Sequence, residues 1–141
     1  PEFFDRSRGC DAALREVGGG MEAILQVDAE SSEEEGYAAA NELLARGGAF
    51  DAVFAASDLI AIGALRALAD AGLRVPEDIA VVGFGDIPMA RFASPPLTTV
   101  FQDTKRAGEL LVETLLRQIG GETTQSITLP ASLVVRKSSG A

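Results

Sequence analysis

Between Ala52 and Asp103 short apolar runs alternate with one amphipathic stretch, and each apolar run stops on polar residues. Val53–Ala56 is continuous and apolar and ends on Ser57-Asp58; Ile79–Val82 is likewise apolar and runs into Gly-Phe-Gly-Asp at 83–86. Between them, Ile62, Leu65, Leu68 and Ala69 recur at helical spacing up to Gly72. Continuous apolar strands suit a parallel sheet covered on both faces, and strand–helix–strand order supplies the crossover such a sheet requires. This stretch therefore predicts an α/β fold: an open, mostly parallel sheet flanked by helices. In such sheets ligands bind beyond the carboxyl ends of the strands. Polar residues at two consecutive strand ends thus point to a small-molecule pocket.

The rest of the chain fits the same scheme. Helices are predicted from Phe4 to Val17 before a glycine run, and from Ser31-Ser32 through three glutamates to about Arg46. Serine at a helix start caps free amides, and acids there favour the positive end of the dipole. Further helices are predicted over Asp58–Ala71 and Thr104–Ile119. Strands are predicted over Met21–Val27, Val53–Ala56 and Ile79–Val82, with a short extended piece over Leu97–Val100. A last strand region covers Ile127–Leu129 and Leu133–Val135, interrupted by Pro130, as at a sheet edge. The chain opens on a helix with no strand before it, which predicts a piece of a larger domain.

At 141 residues the chain has the length of one ordinary domain. No apolar run is long enough to span a bilayer, and no basic and apolar leader opens the sequence. A single cysteine excludes an internal disulfide, and one cysteine without histidine argues against a zinc site. The net charge of −9, with 12 basic residues scattered among 21 acidic ones, lacks the basic patch of a nucleic-acid binder. No catalytic set stands out: histidine bases are absent, there is no G-x-S-x-G elbow, and GFGDIP lacks the third glycine of a dinucleotide fingerprint. No cofactor is expected.

Several motifs, in order along the chain, resemble the lactose-repressor family of transcription regulators. They are the R-x-x-G of Arg6–Gly9, ASDLIAIGAL at 56–65, GLRVPEDIAVVGFGD at 72–86, PPLTTVFQD at 95–103 and LPASLVVRKS at 129–138. The resemblance implies a partial periplasmic-binding-protein-like lobe: the C-terminal portion of an effector-binding and dimerisation core, covering residues 1–141. It also implies that the DNA-binding headpiece lies outside this sequence. Residues 101–121 would form a crossover and a helix that packs on another lobe. Arg6 matches an arginine that holds ligand oxygens, and Ser57 a position that bonds the effector. Gly85 stands where relatives often carry an aspartate that grips sugar hydroxyls, so this chain lacks that acceptor. Asp86 matches a residue that more often ties down the loop, Gln102 a cleft residue at the crossover, and Ser31 a position where some relatives stack an aromatic. Asp58 is read as the cap of its helix. Ile62 resembles a dimer contact, though its periodicity also fits plain core.

The implied function is sensing of a sugar, sugar acid or phosphosugar by a cytoplasmic homodimeric regulator, usually a repressor. It would reach operator DNA only through its headpiece and have no membrane role. Two other readings stand beside it: a lobe of a secreted sugar-binding protein serving a transporter, and an α/β enzyme.

Overall fold

A computed structural model describes residues 2–19, 27–47 and 49–140. The expected strand over 21–27 falls, except for its last residue, outside the described residues. In chain order the elements are α1 (Glu2–Glu16), α2 (Glu33–Arg46), β1 (Ala52–Phe54), α3 (Asp58–Asp70), β2 (Ala80–Gly85), β3 (Thr98–Gln102), α4 (Thr104–Ile119) and β4 (Ala131–Val134). Short 3₁₀ turns cover Pro88–Phe92 and Lys137–Ser139. The strands form one sheet in the order β1-β2-β3-β4. β1, β2 and β3 run parallel, and β4 closes the sheet antiparallel to β3.

The core lies between α3 and one sheet face. Ala61, Leu65 and Leu68 of α3 meet Val81, with Ala55, Ile79, Ala90 and Leu97, in one buried cluster. Strand side chains alternate between faces, so Val81 and Gly83 point to α3 while Val82 and Phe84 point away. Arg6 of α1 lies 4.0 Å from the centre of the Phe84 ring. α1 and α3 therefore flank opposite faces of the sheet, the layering expected of an α/β domain.

Glycine allows a close approach of two helices. A Cβ at Gly63 would lie 2.1 Å from the Glu33 carbonyl oxygen, and one at Gly36 would lie 2.3 Å from that of Ile60. Backbone thus rests on backbone where α2 crosses α3, and no larger residue fits without moving a helix. Ala40, Ala64 and Ala67 continue this small-residue contact as a second buried cluster.

The predicted helices appear with ends shifted by at most a residue or two, a normal uncertainty at frayed termini. The last strand is shorter than expected. It begins at Ala131, directly after Pro130, and Ile127 upstream is 57% exposed outside any strand. Proline has no N–H to give a ladder, so pairing starts only beyond it. α4 forms as predicted but buries none of its residues. Its apolar face, with Ile127 and Leu129, lines an open groove. No helix among the described residues is long and apolar enough to cross a membrane.

Candidate functional site

The carboxyl ends of β1, β2 and β3 lie along one edge of the sheet, because the three strands are parallel. The side chains singled out by sequence gather there. Arg6 reaches across from α1: one guanidinium nitrogen donates to the Ala56 carbonyl, 2.6 Å away, while the group lies over Phe84. A guanidinium over an aromatic face is attracted by the ring quadrupole, and the carbonyl fixes its direction. Arg6 thus spans the ends of β1 and β2.

Ser57 caps α3: its hydroxyl oxygen accepts from the Ile60 N–H at 3.3 Å. The same oxygen accepts from the Ser31 hydroxyl at 2.9 Å, which joins the loop before α2 to the start of α3. Ser31 is exposed and Ser57 half-buried, so a polar ledge faces outward beside Arg6.

At the end of β2 the chain turns sharply. Gly85 has φ 131° and Asp86 φ 50°, both in the left-handed half of conformational space that side chains avoid. The space beside Gly85 is open to ordinary contact, with Asp58 Oδ2 and Ile87 Cγ2 the near neighbours of a Cβ built there. The backbone conformation rather than crowding therefore favours glycine. Asp86 accepts from Arg136 at 2.7 Å, an ion pair whose side chains are mostly buried (16% and 13% exposed). Arg136 also donates to the Leu97 carbonyl at 2.8 Å. Buried charges need such pairing to offset lost hydration. Asp86 is thereby tied to the segment that carries Arg136.

Asp58 differs from its expected part. Ser57, one residue earlier, makes the capping bond, and the Asp58 side chain turns into the interior, 1% exposed. It accepts from the Ile87 N–H at 2.8 Å and from the Thr99 hydroxyl at 2.5 Å. A serine before the aspartate already satisfies the helix start, which leaves the carboxylate for these tertiary bonds.

Gln102 ends β3 on the same edge, exposed, paired in the ladder with Ala131 of β4. It stands one strand away from the turn that carries Gly85 and Asp86, on the far side from Ser57. Ile62 lies elsewhere, half-buried on α3 and packed against the core cluster. Arg6, Ser31, Ser57, Gly85 and Asp86 are therefore brought together, Gln102 flanks them, and Ile62 sits one turn into α3 against the core. Sequence reasoning passed over Arg136 and the inward turn of Asp58. Their partners lie 50 and 29 or 41 residues away, beyond any local pattern. Among the described residues no cluster of three or more histidine, cysteine or acidic side chains could hold a metal ion.

Helices on both faces of a mostly parallel sheet, with polar residues at the strand ends, define a domain of the α/β class. The periplasmic binding protein-like domain matches residues 4–139. The chain is 42% identical over 136 residues to the HTH-type transcriptional regulator CelR of Thermobifida fusca, covering 95% of this chain and 40% of that protein. It is 43% identical over 106 residues to a lactose operon repressor of Rhizobium radiobacter, covering 74% of this chain and 94% of that sequence. Among solved structures, a CelR–cellobiose complex superposes with a TM-score of 0.85 at 40% identity, over 96% of this chain and 42% of that one. A GntR transcription regulator of Chromobacterium violaceum gives 0.90 at 33% identity, over 99% of this chain and 52% of that one. The chain belongs to the periplasmic binding protein-like domains of the lactose-repressor family. It spans less than half the length of CelR.

Proposed function

We propose that this chain is the effector-sensing and dimerisation part of a cytoplasmic transcription regulator, usually a repressor, and that it is not an enzyme. The observation that carries the reading is the convergence of Arg6, Ser31, Ser57, Gly85 and Asp86 at the carboxyl edge of the parallel strands. A guanidinium and two hydroxyls offer the donors and acceptors that a polyhydroxylated ligand needs, and Phe84 supplies an apolar surface beside them. Solved relatives include a complex with cellobiose and another with lactose, which supports a sugar as the ligand class. Gly85 offers no carboxylate to sugar hydroxyls, so sugar acids and phosphosugars belong in the same titration.

In the intact regulator the sugar would bind one arrangement of the core more tightly than another. That difference in affinity would shift the headpieces toward or away from operator-competent spacing. Contact with operator DNA belongs to the helix-turn-helix headpiece, because a domain of net charge −9 repels phosphate. Two copies would pair through the outward side of α3, where Ile62 stays half-buried. Calorimetric titration with cellobiose and lactose tests the ligand reading. Arg6→Ala should weaken binding by about 1.5–3 kcal/mol, the range for hydrogen bonds from a charged donor. Unchanged affinity in a folded variant removes Arg6 from the site.

A further inference from the structure

We propose that Asp58 is the positioning residue of the ligand edge: its buried carboxylate holds the Gly85–Ile87 turn against the start of α3. The inference rests on the sugar-site reading and adds to it a residue that does not touch ligand. The carboxylate is 1% exposed and uses both oxygens, one for the Ile87 N–H and one for the Thr99 hydroxyl. The bond to Ile87 falls directly after Gly85 and Asp86, two consecutive residues with positive φ. It therefore captures the first amide beyond the reversal and fixes how far the turn projects past the end of β2.

The sequence makes room for this carboxylate. A Cβ at Gly83 would lie 2.4 Å from Asp58 Oδ1, so the empty side-chain position on β2 is the space the carboxylate occupies. Asp58 also follows Ser57, whose hydroxyl carries Ser31 and caps α3. One short segment thus sets the relative placement of the serine ledge, the Gly85 turn and β3. Asp86 fastens the same turn from its other side through Arg136. The Asp86 N–H also donates to the Thr99 hydroxyl at 3.4 Å, and Asp58 ties the turn to the start of α3.

The test compares Asp58→Ala with Asp58→Asn in the full chain. Alanine leaves the Ile87 N–H and the Thr99 hydroxyl without their partner. Asparagine keeps the bond to the turn: its amide oxygen takes the Ile87 N–H, while its NH₂ replaces the acceptor of the Thr99 hydroxyl with a donor facing an oxygen that also accepts from the Asp86 N–H. Hydrogen exchange followed by mass spectrometry reads the turn directly. In Asp58→Ala, exchange over residues 84–90 should accelerate about tenfold or more, as expected for an unsatisfied polar pair, with α2 and α4 little changed. Cellobiose affinity should fall by a similar factor. Asp58→Asn should restore both to within about threefold, because the same acceptor is regained. Unchanged exchange at 84–90 in Asp58→Ala overturns the proposal, as does an equal rise across the whole chain. Should alanine unfold the chain, Asp58→Asn decides: native exchange and affinity support positioning, and unfolding of both variants overturns it. A lack of cellobiose binding by the unaltered chain would count against that sugar as ligand, while the exchange pattern still judges Asp58.

Discussion

α3 and α4 are helices of similar length that meet opposite fates. α3 buries Ala61, Ala64, Leu65, Ala67 and Leu68 against α2 and the sheet. α4 carries Leu111, Val112, Leu115, Leu116 and Ile119, each between 55% and 74% exposed. Both follow from local pattern and caps: Ser57 starts one, and Asp103, which accepts from the Arg106 N–H, starts the other. Helix formation is thus local in both, whereas burial depends on a surface that only α3 finds among the described residues. Apolar side chains gain about 1.5–3 kcal/mol each when fully buried, so α4 holds stabilisation that this chain leaves unused.

The same substitution in both helices sharpens the contrast most. Leu68→Ala removes a side chain that is 1% exposed, and should lower unfolding free energy by about 2–5 kcal/mol. Leu115→Ala, at a site 55% exposed, should change it by no more than about 0.5 kcal/mol. Urea titrations of the two variants make the comparison, and equal losses would break it. Gly63→Ala comes between them. Alanine favours an isolated helix by about 1 kcal/mol, yet its methyl would press on the Glu33 carbonyl. A net loss of about 1–3 kcal/mol is expected from overpacking, read in the same titrations. A gain in stability would show that α2 and α3 can separate cheaply.

The smallest effect lies at the surface connection between α3 and β2. Asp78 accepts from the Arg74 side chain at 2.8 and 2.6 Å and from its backbone N–H at 2.8 Å. The hydrogen bond from the guanidinium, then that from the backbone, hold the Asp78 carboxyl down at about 2. A depressed carboxylate adds stability that is full above the unfolded value of about 4 and fades as pH falls toward 2. Asp78→Asn should therefore flatten stability slightly between those pH values and leave it unchanged in slope near neutrality. An identical acid limb in both proteins would remove the pair from the account.

The two regions also show what the sequence could disclose. α2, α3 and α4 were legible because periodicity, caps and glycine stops are local signals. The parallel sheet was legible because its strands are continuous apolar runs between helices. Strand limits were less so: β1 stops at Phe54, two residues before the predicted Ala56, and β4 waits for Pro130 to pass. At the candidate site, Arg6, Ser57, Gly85 and Asp86 came from motif resemblance rather than from physics alone. Asp58 was legible as structural but not as interior, since only the fold brings Gly83 and Thr99 beside it. Arg136 was invisible for the same reason, its carboxylate partner lying in a loop 50 residues earlier.

The central claim is that ligand meets this chain at the carboxyl edge of its parallel strands and not along the exposed face of α4. Hydrogen exchange of the unaltered chain, with and without saturating cellobiose, tests it most directly. The account predicts slowed exchange over residues 55–60 and 84–87, where Arg6, Ser57 and the Gly85 turn converge, and none over α4. Slowing confined to α4, or an edge untouched by a sugar that binds, would contradict it.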